Sequence, residues 1–226
     1  MLTARVDDYL WWRTWRPGWA EAHCVTLVGD TSAAEVIGSL RADVLGSVQG
    51  IDALYDLAVA DWPAGFDPGL IGVTEIDGTW ALIAEINGFV GVTERLIGPM
   101  SVGRTIVSHF ANVNAVHRFN WWRDGQLVVD FDLLFPAERF GADPMALRDD
   151  LGAVGVPLDA DSEQIAGIDL SAAGFALAER LTDVACTPEL FERSDFVVAR
   201  VAIPGADDQQ RYGEALRAAW CHPATW

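Results

Sequence analysis

Two Asp-Gly dipeptides constrain this chain more than any other feature, because each stands between runs of β-forming residues. Asp-Gly accepts the positive φ angles of a tight turn, which makes it a strong short-range signal for a β-hairpin. The first, Asp77-Gly78, lies inside GVTEIDGTWALIAEING, residues 72–88. Both faces of WALIAEI are largely apolar, which predicts a central strand covered on both sides. Glu85 within that strand then needs water or a partner, since a buried unpaired carboxylate is costly.

The second dipeptide, Asp124-Gly125, joins the strands of SHFANVNAVHRFNWWRDGQLVVDFD, residues 108–132. A two-residue loop sets Arg118 opposite Phe131 and Asn120 opposite Val129, which mixes polar and apolar residues on both faces. A three-residue loop, Arg123-Asp124-Gly125, pairs Trp122 with Gln126 and separates them. One face then carries Phe119, Trp121, Leu127, Val129 and Phe131, with His117 among them. The other carries Asn114, Arg118, Asn120, Gln126, Val128, Asp130 and Asp132, with Arg118 directly opposite Asp130; Asn112 joins if the strand continues upstream. A one-residue slip exchanges the two faces, and only one should be buried, so the three-residue loop is the expected register.

Elsewhere the helical period dominates. Residues 3–13 read as a short helix. Ser32 and Glu35 have capping-box spacing ahead of an apolar stripe of Val36, Ile37 and Leu40. A helix over 50–60 stops at the breakers of WPAGFDPG, and a shorter one over 93–100 is broken by Gly98-Pro99. Asp143 and Pro144 suit the cap and first position of a helix carrying Leu147, Leu151 and Val154. VPLDADSEQ, residues 156–164, reads as an acidic connector. Helices over Ser171–Val184, from Pro188 and over 207–220 follow, with a strand over 196–203. The expected fold is α+β: an antiparallel sheet of β-hairpins with helices packed mainly on one face. A single domain over 1–226 is expected, with 155–226 as a C-terminal extension, because roughly 60 residues make a marginal independent domain.

Charge narrows the partners. Asp and Glu total 33 against 15 basic residues, all of them arginine, for a net charge of -18. Such a surface argues against nucleic acid and anionic membrane and suits a basic protein partner. Absence of lysine points to a GC-rich genome and excludes Schiff-base chemistry on a lysine. Cys24, Cys186 and Cys221 are odd in number and far apart, which favours a reducing compartment over a disulfide framework. The adjacent pairs His23-Cys24 and Cys221-His222 are too close in sequence to chelate well, so no metal and no cofactor is expected. Charges at Arg5, Asp7, Asp8, Arg13 and Arg16 interrupt any signal-peptide core, and no run approaches the roughly 18 apolar residues of a membrane span. A cytoplasmic location is expected.

No nucleophile elbow, P-loop, zincin motif or dinucleotide fingerprint is present. The best polar constellation is therefore the hairpin face of Asn112, Asn114, Arg118, Asn120, Asp130 and Asp132. An arginine fork with flanking amides suits a small anionic or amide ligand if something encloses it, and is a solvated cross-strand ion pair if nothing does. Glu85, His109 and His117 are the candidate bases, although His117 falls on the apolar face, where histidines are usually core residues. Trp11, Trp12 and Trp15 form either a partner surface or an aromatic lid over the core.

The segments GVTEIDGTWALIAEINGFVG (72–91), SVGRTIVSHFANVNAVHRFNWWRDGQL (101–127) and LTDVACTPELFERSDF (181–196) carry a resemblance. In them the chain resembles an uncharacterised family of high-GC Gram-positive bacterial proteins, a domain of unknown function. The resemblance implies one unit over most of the chain and a setting among toxin, immunity or defence genes. It brings no activity, cofactor or catalytic residue. The leading expectation is a non-catalytic cytosolic interaction module, such as an acidic immunity-type inhibitor. The alternative is a cofactor-free enzyme or small-ligand-binding protein using the polar face of the 113–133 hairpin.

Overall fold

The structure, a computed structural model, describes residues 4–61, 69–158 and 162–204. The helix expected over 207–220 and the Cys221-His222 pair lie outside the described residues. Two short helices, Trp12–Trp15 (α1) and Pro17–Glu21 (α2), lead into strand β1, His23–Gly29. Then come α3 (Ala33–Leu40), β2 (Asp43–Gln49), α4 (Gly50–Asp61), β3 (Gly69–Ile76), β4 (Trp80–Ile86) and α5 (Glu94–Met100). Strands β5 (Thr105–Ala111), β6 (His117–Arg123), β7 (Gln126–Asp132) and β8 (Arg139–Phe140) form the middle of the chain. It continues with α6 (Arg148–Val154), α7 (Ser162–Ala166), α8 (Leu170–Thr182), α9 (Pro188–Arg193) and β9 (Asp195–Val201).

The fold is α+β. Among the described residues nine strands form one antiparallel sheet in the order β2-β9-β3-β4-β1-β5-β6-β7-β8. Strand β4 lies between β3 and β1 and is buried along most of its length, as its apolar faces require. Strand β9 is inserted between β2 and β3, so the last described strand belongs to the sheet's interior. One face is covered by most of the helices, with Trp12, Phe175, Phe191 and Phe196 at the centre of its core. The other face packs against α3 and α5 through Val36, Leu40, Ile97 and Met100. Ser32 accepts from the Glu35 amide and Glu35 returns the bond to the Ser32 amide, the capping box its spacing predicts.

Three expectations need correction. The second hairpin has a two-residue loop: Arg123 pairs with Gln126 and Trp122 with Leu127. A bulge at Val128 then shifts the register, so that Asn120 faces Asp130 and Arg118 faces Asp132. The extra residue restores the separation of faces that the simple two-residue register destroys. It also moves Leu127 to the side of Trp122, away from Phe131. Second, residues 108–123 are not one strand. Residues 112–116 turn the chain between β5 and β6, with Ala115 at φ 60° and Asn112 Oδ1 accepting from the amides of Asn114 (2.9 Å) and Val116 (3.3 Å). Third, α6 begins at Arg148, while Asp143 holds a turn by accepting from the Met145 amide.

Candidate functional site

The central strands carry polar side chains on both faces. On the α5 face the register lines up Glu85, Cys24, Phe110, Arg118 and Asp132 across β4, β1, β5, β6 and β7. The next row holds Thr26, Ser108, Asn120 and Asp130. All of these are buried except Arg118, which is half-buried. The Arg118 guanidinium reaches diagonally to Asp130, donating through Nε at 2.9 and 3.0 Å and through Nη2, and donates from Nη1 to the Val92 carbonyl at 3.1 Å. Asp132 accepts from the amides of Leu134 and His117. Thr26 and Ser108 share a hydroxyl hydrogen bond at 2.9 Å.

Glu85 has its partners too. Its two oxygens accept from the amides of Val90 and Gly91, each at 2.9 Å, in the short turn that follows β4. Burial pushes its carboxyl up to about 7, against the pull of the two N–H donors. Burial likewise raises the Cys24 thiol well above its ordinary range, so it is not a nucleophile at neutral pH. The same turn closes the layer. A Cβ placed on Gly91 would lie 2.6 Å from Cys24 Sγ and closer still to Thr26 Oγ1, so the backbone itself fills the space above these groups. The polar face expected to hold a ligand is enclosed, and its charged groups are already engaged from within the chain. Asn112 and Asn114 stand apart from it in the β5–β6 turn, where Asn114 is exposed.

On the opposite face three imidazoles form a column. His23 and His109 are fully buried with ring centroids 5.1 Å apart, and His117 lies 6.4 Å beyond, nearly parallel to His109. Phe175 of α8 stacks on His23, and Trp12 meets the His23 ring edge-on at 4.9 Å. Gly174 allows α8 to lie directly on the column, since a Cβ there would come 2.5 Å from His109. Nδ1 of His23 is 3.0 Å from the Trp19 carbonyl, which fixes a neutral tautomer donating from that nitrogen. Burial pushes His23 down to about 3 and His109 well below its ordinary value. His117 is lowered less, with Asp169 pulling the other way. All three are neutral at pH 7.

His117 opens onto a surface cavity of about 300 Å³, lined also by Trp12, Arg13, Leu134, Asp169 and Ser171. Of the three tryptophans singled out in the sequence, Trp12 is core, while Trp11 and Trp15 are half-buried and pack against it. His23 is the site residue that sequence reasoning missed. Its place in the column depends on β1 pairing with β5, His23 against Ala111, a long-range contact that no turn signal announces. Among the described residues no cluster of His, Cys, Asp and Glu has metal-holding geometry, and no helix is long and apolar enough to cross a membrane.

Residues 2–205 match the DUF6461 family, a family of unknown function, and the chain belongs to it. No curated protein and no solved structure matches the chain.

Proposed function

We propose that this DUF6461 member is a non-catalytic interaction module that engages a basic protein partner through the exposed edge of its sheet. The observation that carries this reading is strand β2. It is a seven-residue edge strand, exposed over nearly its whole length, with Val44 57% and Leu45 52% accessible. Leu57 and Val59 of α4 are exposed beside it, and a groove of about 230 Å³ runs between Leu45, Val48, Leu57 and Leu70. An open edge offers unpaired backbone donors and acceptors, and alternate side-chain pockets give an added strand its specificity. The bulge between Val44 and Gly46 discourages pairing with a second copy of the same flat edge. Exposed Asp43, Asp56 and Asp195 surround the strand, and the net charge of -18 favours a cationic partner. This supports an immunity-type inhibitor working in a bacterial cytosol, with the arginine-only composition consistent with a high-GC host.

Defined peptides test the idea. A strand-forming peptide alternating valine and arginine should bind, lose affinity as salt rises, and protect the β2 amides from hydrogen exchange. Leu45→Glu should abolish that binding while leaving the fold intact, since Leu45 is exposed. Equal binding of the valine–glutamate counterpart, or protection confined to another part of the molecule, would refute the reading.

A further inference from the structure

The apolar corner between β2 and α4 is uncovered among the described residues. Val44, Leu45, Leu57 and Val59 there are four of the nine large apolar side chains that those residues leave strongly exposed, a concentration that marks a surface made to be covered. The groove between them is lined also by Leu70, Val198 and the Arg200–Asp61 ion pair. The chain leaves from this groove. Arg200 of β9 pairs with Asp43 at the start of β2, and the described residues end four positions later at Pro204. Twenty-two residues follow, 205–226. Within them Tyr212, Leu216, Ala219 and Trp220 stand at i, i+4, i+7 and i+8, the apolar stripe of the helix expected over 207–220. A helix of that length is marginal alone in water and gains its stability by burying such a stripe.

We propose that residues 205–226 dock in cis on the β2–α4 groove through Tyr212, Leu216 and Trp220, and so compete with the basic partner for this corner. The competition rests on the partner reading above; the docking does not. Reach allows it. Residues 205–211 span about 24 Å when extended, as long as the seven-residue strand β2, so the stripe can be brought to any point along the groove. Charge supports it. Arg211 and Arg217 flank the stripe against a single Glu214, and Asp43, Asp56 and Asp195 are exposed around the groove. The segment thus carries the same combination, apolar side chains beside arginines, that the edge is proposed to recognise in a partner. A second copy is a poorer occupant, because two chains of net charge -18 repel each other, whereas a tethered segment competes at high effective concentration.

A spin label on the full chain tests the proposal. Cys24 and Cys186 are buried, so a nitroxide maleimide added to the folded protein is directed to Cys221. The label should strongly broaden the methyl resonances of Leu45, Leu57 and Val59. Val102 and Val113, beside strands five or more places across the sheet from β2, should keep their intensity. Leu216→Glu should restore the broadened signals; Leu216 lies beyond residues 2–205 that match the family, so the sheet is left intact. No broadening at the groove, broadening that survives Leu216→Glu, or broadening equally strong when label and isotopes sit on different copies would each overturn the docking. The valine–arginine peptide should bind Leu216→Glu about tenfold more tightly than the unaltered chain, as expected if the segment covers the groove in about nine molecules of ten. Equal peptide binding to both chains without broadening leaves the partner reading standing and removes this one. Broadening with no peptide binding to either chain does the reverse.

Discussion

Glu85→Gln should change how stability depends on pH more than it changes stability itself. The carboxyl is 1% exposed, and burial raises it from 4.5 to about 7. Between those values the folded protein binds a proton that the unfolded chain has released, so stability falls as pH rises through this window. The contribution is fully present below about 4.5 and lost above about 7. A shift of about 2.5 units corresponds to about 3 kcal/mol at 1.36 kcal/mol per unit. Glutamine cannot ionise, so the variant escapes that loss. It carries an offset of its own, because one oxygen cannot serve both the Val90 and the Gly91 amides, and an unpaired buried N–H costs about 1–3 kcal/mol. That offset does not depend on pH. The informative quantity is therefore the stability difference between variant and wild type, measured by urea denaturation at pH 5, 6, 7 and 8. It should shift in favour of the variant by about 3 kcal/mol across the series. A difference flat to within about 1 kcal/mol would mean that Glu85 titrates near its ordinary value, and the dry, closed layer described above would be wrong.

Gly91→Ala should cost about 2–3 kcal/mol in the same assay, because its Cβ would meet Cys24 and Thr26, both buried on a central strand. Gly152→Ala, which points into open space on α6, should be neutral or stabilising by up to about 1 kcal/mol, and a comparable loss there would remove the steric explanation. Arg118→Met leaves Asp130, 1% exposed, without its cation and should cost about 3–5 kcal/mol, with much of it recovered in Arg118→Met/Asp130→Asn; no recovery in the double variant would count against a charge effect. His23, pushed down to about 3 by burial, and His109, lowered well below its ordinary value by burial, contribute stability that is present above about 6.5 and is lost as pH falls through their lowered folded values. His109→Leu should flatten that acid limb by up to about 1.4 kcal/mol per pH unit, and an unchanged slope would show that the column stays neutral in both states.

Local signals carried much of the architecture. The Asp-Gly turns, the Ser32 capping box and the apolar faces of β4 were legible because each depends on residues a few positions apart. The sheet order was not. Strand β2 reads as neither helix nor core, since an exposed edge strand needs no apolar alternation, and β9 slots between β2 and β3 from over 100 residues away. The candidate site divides along the same line. Separation of Arg118, Asp130 and Asp132 from Phe119 and Phe131 follows from strand parity and holds in the structure. The cover over them does not follow, because it is a turn after a different hairpin, brought close by the β4–β1–β5–β6 order.

The bulge at Val128 explains why a misplaced loop still put the right side chains together. A three-residue loop shifts the ladder by one position at the turn. The real hairpin instead has a two-residue loop and adds its extra residue four positions from the turn's start. Beyond that point both leave the polar residues on one face, since side-chain parity counts residues and not the place where one is inserted. What differs is which groups face each other. Arg118 faces Asp132 across the strands and must reach diagonally for Asp130, which leaves the Asp132 carboxylate to the amides of Leu134 and His117. The bond from the His117 amide ties the beginning of β6 to the end of β7 where the cavity beside His117 opens. The ion pair closes one face of the sheet, and the carboxylate it leaves over fixes the strand ends that shape the other.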